Sequence, residues 1–123
     1  MSAALLDGTW NGADLEDRSN CSAVQNDGQH GTYAQWVINV AGHAIGITEN
    51  GVTGLNCSYS GDYQDTPAGP LWTGSYACSD NKSGTFTSKG FLVTPHEMSI
   101  QLTIKLNGSE TCDINAILGG SRY

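Results

Sequence analysis

"LNCSYSGDYQDTPAGPLWTGSYACS", Leu55–Ser79, holds two alternating arms around a turn. In the first arm Leu55, Cys57, Tyr59, Gly61 and Tyr63 share one face; in the second, Trp72, Gly74, Tyr76 and Cys78 do. A period of two marks a half-buried strand, because successive side chains point to opposite faces of a sheet. Thr66-Pro67-Ala68-Gly69-Pro70 between them is turn chemistry. Folding the arms so that Cys57 meets Cys78 sets Tyr59 opposite Tyr76, Gly61 opposite Gly74 and Tyr63 opposite Trp72. Aromatic then faces aromatic and glycine faces glycine, a favourable cross-strand pattern. The stretch predicts an antiparallel hairpin stapled by a Cys57–Cys78 disulfide.

The same signal runs outward in both directions. Met98, Ile100, Leu102, Ile104 and Leu106 alternate with Ser99, Gln101, Thr103 and Lys105, and Cys112, Ile114, Ala116 and Leu118 share a face. No segment has a 3.6-residue period, so almost no helix is expected. Eight strands are predicted, starting near Thr9, Gly31, Ala44, Thr53, Leu71, Ser83, Glu97 and Glu110. The first is long and expected to break around Asp14 to Ser19. Asn50-Gly51 and Asn107-Gly108 signal two-residue hairpins. Short hairpins make sequence neighbours sheet neighbours, and eight such strands close most simply into an up-and-down barrel with no exposed edge. The expected fold is all-β, one barrel domain over residues 1–123. Closure lays the last strand beside the first, which pairs Cys21 with Cys112; the rival pairing, Cys21–Cys57 with Cys78–Cys112, stays open at this level.

The chain also reads as one module written twice, in halves of about 8–64 and 70–119. Trp10, Gly12, Cys21-Ser22, Gly31-Thr32-Tyr33 and Cys57 correspond in order to Trp72, Gly74, Cys78-Ser79, Gly84-Thr85-Phe86 and Cys112.

Composition narrows the function. In 123 residues 38% are hydrophobic and only 14% charged, which suits a folded domain with neutral strand surfaces. A net charge of −7 without a Lys/Arg cluster opposes nucleic-acid backbones and anionic membranes as partners. Four cysteines without a Cys-x-x-Cys pair point to two disulfides and an oxidising compartment. A secreted or periplasmic location is expected, with a signal peptide removed, since "MSAALLDG" is too short to be one.

Aromatic residues are the richest chemical signal. Trp10, Tyr33, Tyr59, Tyr63, Trp72 and Tyr76 are the candidate ligand-binding residues, with Trp36 a further aromatic of the set. Trp and Tyr need a hydrogen-bond partner when buried, which suits them to pocket walls. The barrel-filling alternative stands beside this one, because an eight-stranded interior is just wide enough for side chains or one small ligand. His30, His43 and His96 fall in predicted turns without metal-ligand spacing, and Asp14, Glu16 and Asp17 read as a solvated loop. No catalytic motif, metal site or cofactor is implied. Four Asn-x-Ser sequons, at Asn20, Asn56, Asn81 and Asn107, would matter only in a eukaryotic secretory pathway.

Gly8-Thr9-Trp10-Asn11, Gly31-Thr32-Tyr33 and the run Tyr63…Leu71-Trp72-Thr73-Gly74-Ser75-Tyr76 resemble the avidin and streptavidin family of biotin-binding, calycin-type barrels. The resemblance implies an eight-stranded barrel with a pocket at one end. It sets Tyr33 at the family's ureido-binding tyrosine, Tyr59 at a biotin-stacking tryptophan and Trp72 at a pocket wall. It fails at Ala68 and Pro70, where the family has hydroxyls, and at Asp113, which alternation turns away from Ile114's face. Biotin is therefore not the expected ligand.

Three function classes follow. The first is a barrel binding a small apolar or amphipathic molecule, with homo-oligomers an option. The second is an isomerase- or cyclase-type barrel enzyme acting on a small hydrophobic substrate. The third is an interaction or inhibitor module. The lack of a catalytic motif favours binding over catalysis.

Overall fold

Eight antiparallel strands carry the alternation seen in the sequence. In the computed structural model, which describes residues 3–123, they are β1 (Gly8–Ser19), β2 (Gly28–Ala41), β3 (Ala44–Gly51), β4 (Asn56–Thr66), β5 (Gly69–Cys78), β6 (Ser83–Val93), β7 (Glu97–Asn107) and β8 (Thr111–Ser121). Each pairs with the next, and β8 returns to β1, closing an up-and-down barrel. Short 3-10 turns occupy Ala3–Leu6 and Val24–Asn26.

The β4–β5 hairpin has the register set by its cysteines: Cys57 opposite Cys78, Tyr59 opposite Tyr76, Gly61 opposite Gly74 and Tyr63 opposite Trp72. Disulfides join Cys57 to Cys78 and Cys21 to Cys112, so the pairing within halves does not occur. Cys112 opens β8 and Cys21 follows β1, so this second bridge pins the seam that closes the barrel. Both seams use glycine for close approach. At Gly61 or Gly74 an added Cβ would run into a carbonyl oxygen of the facing strand, and at Gly12 into that of Gly119. The space so freed takes large side chains. Trp10, Trp36, Tyr59 and Trp72 are fully buried among Ile38, Ile45, Ile47, Ile100, Leu102, Ile104 and Ile114. Each indole N–H donates to a backbone carbonyl: Trp10 to Leu6 at 2.8 Å, Trp36 to Gly119 at 3.1 Å and Trp72 to Gly61 at 3.1 Å. That answers the hydrogen-bond demand of a buried tryptophan.

The two ends of the barrel differ. At one, the Ala3–Leu6 turn buries Leu6 completely. Arg122 lies 3.9 Å above the centre of the Trp10 ring and donates to the carbonyls of Leu5, Asp7 and Pro95. This end is stoppered by the Ala3–Leu6 turn and the Arg122 side chain. At the other lie the β1–β2, β3–β4, β5–β6 and β7–β8 connections and both disulfides.

Three local expectations are corrected. β1 runs unbroken through Asp14–Ser19, because pairing with both β2 and β8 outweighs the weak strand preference of its acidic residues. Asn50-Gly51 and Asn107-Gly108 do not form two-residue turns. Asn50 pairs with Asn56 and Asn107 with Thr111, and the chain turns instead through residues 52–55 and 108–110. The inward phase of Glu49 opposite Cys57, and of Leu106 opposite Cys112, sets those registers over local turn preference. His30 lies within β2 rather than in a turn.

Candidate ligand site at the disulfide-bearing end

Trp10 points inward from β1, so two-residue alternation carries Gly12, Asp14 and Glu16 onto the same face. Asp14 is 4% exposed and Glu16 8%, whereas Asp17 faces solvent. The same phase on β3 takes Ile45 and Ile47 on to Glu49, 3% exposed. Three carboxylates from two strands thus meet inside the open end. This overturns the solvated-loop reading of Asp14 and Glu16. Extending the alternation from Trp10 and from Ile47 would have found all three.

Together with Arg18, Thr32, Cys57 and Tyr76 they wall a cavity of about 200 Å³. Arg18 donates from Nε and Nη2 to Oε1 of Glu16, each at 2.8 Å. The Tyr59 hydroxyl donates to Oε1 of Glu49 at 3.3 Å. The Tyr76 hydroxyl lies 2.8 Å from Sγ of Cys78, and since a disulfide sulfur carries no proton the hydroxyl is the donor. Oδ1 of Asp14 is buried and receives no hydrogen bond, while the Asp14 carboxyl lies within hydrogen-bonding reach of Glu49 and Glu16. Burial, then the charges of Glu16 and Glu49, push the Asp14 carboxyl up to about 11. Burial also raises Glu49, and it raises the Tyr59 and Tyr76 hydroxyls with the carboxylates adding in the same sense. Asp14 is therefore a neutral acid at pH 7 in the empty cavity.

Beneath the cavity the aromatic residues form a packed layer. Tyr59 and Tyr76 lie 4.9 Å apart between ring centres, and Trp72 packs 4.3 Å from Phe86. Of the six aromatic residues singled out in the sequence, Tyr76 lines the cavity and Tyr59 reaches it through Glu49. Trp10 and Trp72 are buried deeper, and Tyr63 lies half-buried against the exposed His43, 5.1 Å between ring centres. Tyr33, one residue out of phase with Ala34 and Trp36, stands outside the barrel, 74% exposed, and does not line this cavity. Asp113 accepts from Asn20 Nδ2 at 3.1 Å, away from the cavity.

Two other features lie outside this cavity. A groove of about 550 Å³ runs over the outer wall beside Leu15, Lys89, Gln101 and Ile117, and holds no orphaned buried polar atom. Among the described residues the metal-ligand grouping is Cys21, Glu110 and Cys112, whose two sulfurs are bonded to each other.

No family model matches the chain, and no curated protein matches it. Among solved structures it is similar to a redesigned beta barrel, with a TM-score of 0.59 and 13% identity over 98% of this chain and 95% of that one. At that identity the likeness carries the barrel fold alone. The two disulfides suit an oxidising environment.

Proposed function

We propose that the protein binds a small amphipathic molecule at the disulfide-bearing end of the barrel, in a secreted or periplasmic setting. Asp14, Glu16 and Glu49 supply the polar wall, and the Tyr59–Tyr76 layer supplies the floor. The observation that carries this reading is the orphaned Oδ1 of Asp14 inside a walled cavity. Folded proteins pair all but a few per cent of buried polar groups, and leaving one unpaired costs about 1–3 kcal/mol. A ligand that donates to Asp14 removes that cost. A cavity of about 200 Å³ lies below the ~300–1,000 Å³ of drug-sized sites, so the ligand is small. Biotin is a poor fit, because Ala68 and Pro70 offer no hydroxyl and lie on the β4–β5 hairpin at the stoppered end. The net charge of −7 keeps nucleic acid out of the reading. The two seams, each with glycine and a disulfide, support descent of the halves from one module.

Screening small amphipathic fragments by amide chemical shift tests this. Shifts centred on Thr32, Glu49 and Tyr76 are expected; shifts confined to Leu15 and Ile117 on the outer wall would overturn the assignment. A second reading has one observation behind it: a neutral Asp14 acid beside Glu49 is a pair that can pass a proton to and from a bound substrate. Chemical conversion of a fragment that binds would favour it.

A further inference from the structure

We infer that the ligand of this cavity is cationic: a primary ammonium or amidinium on a small apolar body, seated between Asp14 and Glu49. This rests on the binding reading above and deepens it.

The first support is the count of donors. The cavity holds three carboxyl groups and one guanidinium, and Arg18 is engaged with Glu16. Glu49 receives the Tyr59 hydroxyl and shares the one proton that Asp14 keeps, while Asp14 Oδ1 itself receives nothing. The Tyr76 hydroxyl is turned to the disulfide. A carboxylate offers about four acceptor positions, so what the wall lacks is donors. An alcohol brings one. An ammonium brings three, and its hydrogen bonds to carboxylates are roughly twice as strong as neutral ones.

The second support is what surrounds Asp14. Glu16 and Arg18 lie on its own strand, His30 on β2, Glu49 on β3, Tyr59 on β4 and Tyr76 on β5. From β8, Leu118 pairs with Asp14 and Ala116 with Glu16, and neither carries charge. His30 is exposed and its Nε2 is occupied by the Asn26 carbonyl at 2.8 Å. Among the described residues Arg18 is the one Lys or Arg side chain that lines the site, and a chain of net charge −7 draws cations toward it.

The third is a proton balance. In the empty cavity Asp14 keeps its proton. A bound ammonium supplies the positive charge instead, so Asp14 ionises and the proton leaves to solvent: amine cation in, proton out, charge conserved.

Titration calorimetry with benzylamine and benzyl alcohol, which share one shape, tests the inference. In phosphate and in HEPES, two buffers without a primary ammonium and with different ionisation enthalpies, benzylamine should bind at pH 7 at least about tenfold more tightly, with close to one proton released. Asp14→Asn should abolish the proton release and bring the ratio of the two affinities close to one. Glu49→Gln should weaken benzylamine about tenfold, and serves if the first variant does not fold. Equal binding of amine and alcohol would overturn the cationic reading and leave the binding cavity standing. Binding of neither by the folded barrel would overturn both.

Discussion

Burial and two neighbouring carboxylates hold the Asp14 proton in the folded protein up to about pH 11, whereas in the unfolded chain an aspartate ionises near pH ~4. The folded value is the higher one. The contribution of Asp14 is therefore full below about pH 4 and is lost progressively as pH rises toward 11. Glu49 is raised as well and acts in the same sense. Thermal melts should show the barrel more stable at pH 5 than at pH 8, with a slope of at most about 1.4 kcal/mol per pH unit for each group. Asp14→Asn should flatten that slope and raise the melting temperature at pH 8, because the amide has no proton to lose. At the stoppered end, Arg122→Met keeps an unbranched apolar stem and removes the guanidinium. The cation–π contact with Trp10 and the donations to three carbonyls go together. A loss of about 2 kcal/mol by urea unfolding is expected, with red-shifted tryptophan emission as the cap over Trp10 loosens.

The strands are held at a spacing that glycine sets at the seams. Gly61 and Gly74 face each other on β4 and β5, and a methyl group at either meets a backbone carbonyl that has no room to move. Gly61→Ala should cost about 1–3 kcal/mol or more, read from urea midpoints. Gly46 on β3 is the control, since a Cβ there would lie 4.0 Å from the Tyr59 backbone carbonyl oxygen, an ordinary contact. Gly46→Ala should fall within about 0.5 kcal/mol of the parent. Equal effects would show that the close approach at the β4–β5 seam is not what matters. The displaced turns after Asn50 and Asn107 belong to the same scale. A hairpin dipeptide is a local preference, and a strand whose inward face is already committed overrides it.

At the scale of the whole molecule, the two disulfides close loops of very different length. Cys57 and Cys78 are 21 residues apart, and Cys21 and Cys112 are 91 apart. Constraint of the unfolded chain is then worth about 3 kcal/mol for the shorter loop and about 4.5 kcal/mol for the longer. The paired Cys→Ser variant at 21 and 112 should lose about 1 kcal/mol more than the pair at 57 and 78, measured by urea unfolding. The Cys57–Cys78 variant carries a second signature. It frees the Tyr76 hydroxyl from its sulfur partner, so fragment binding at the cavity should change there and not in the other variant.

Strand count, strand phase and the Cys57–Cys78 register were legible in the residues themselves, because alternation is a property of the extended backbone and needs no knowledge of the rest of the chain. The inward set of the Leu55–Ser79 stretch follows from that geometry alone. Closure extended the reading to Cys21–Cys112. What only the tertiary structure decided was which inward residues share an end. Asp14 lies beside Glu49, and both above Tyr59, because β1, β3 and β4 are brought together by ladder registers through β2 that no short segment encodes. The acidic run of β1 reads as solvated by composition, and Asp14 and Glu16 are buried only because their phase follows Trp10 into a barrel closed on both sides of the strand. The local signal for carboxylates is hydration; burial is a fact about their neighbours, and some of those, such as Leu118 beside Asp14, lie at the far end of the chain.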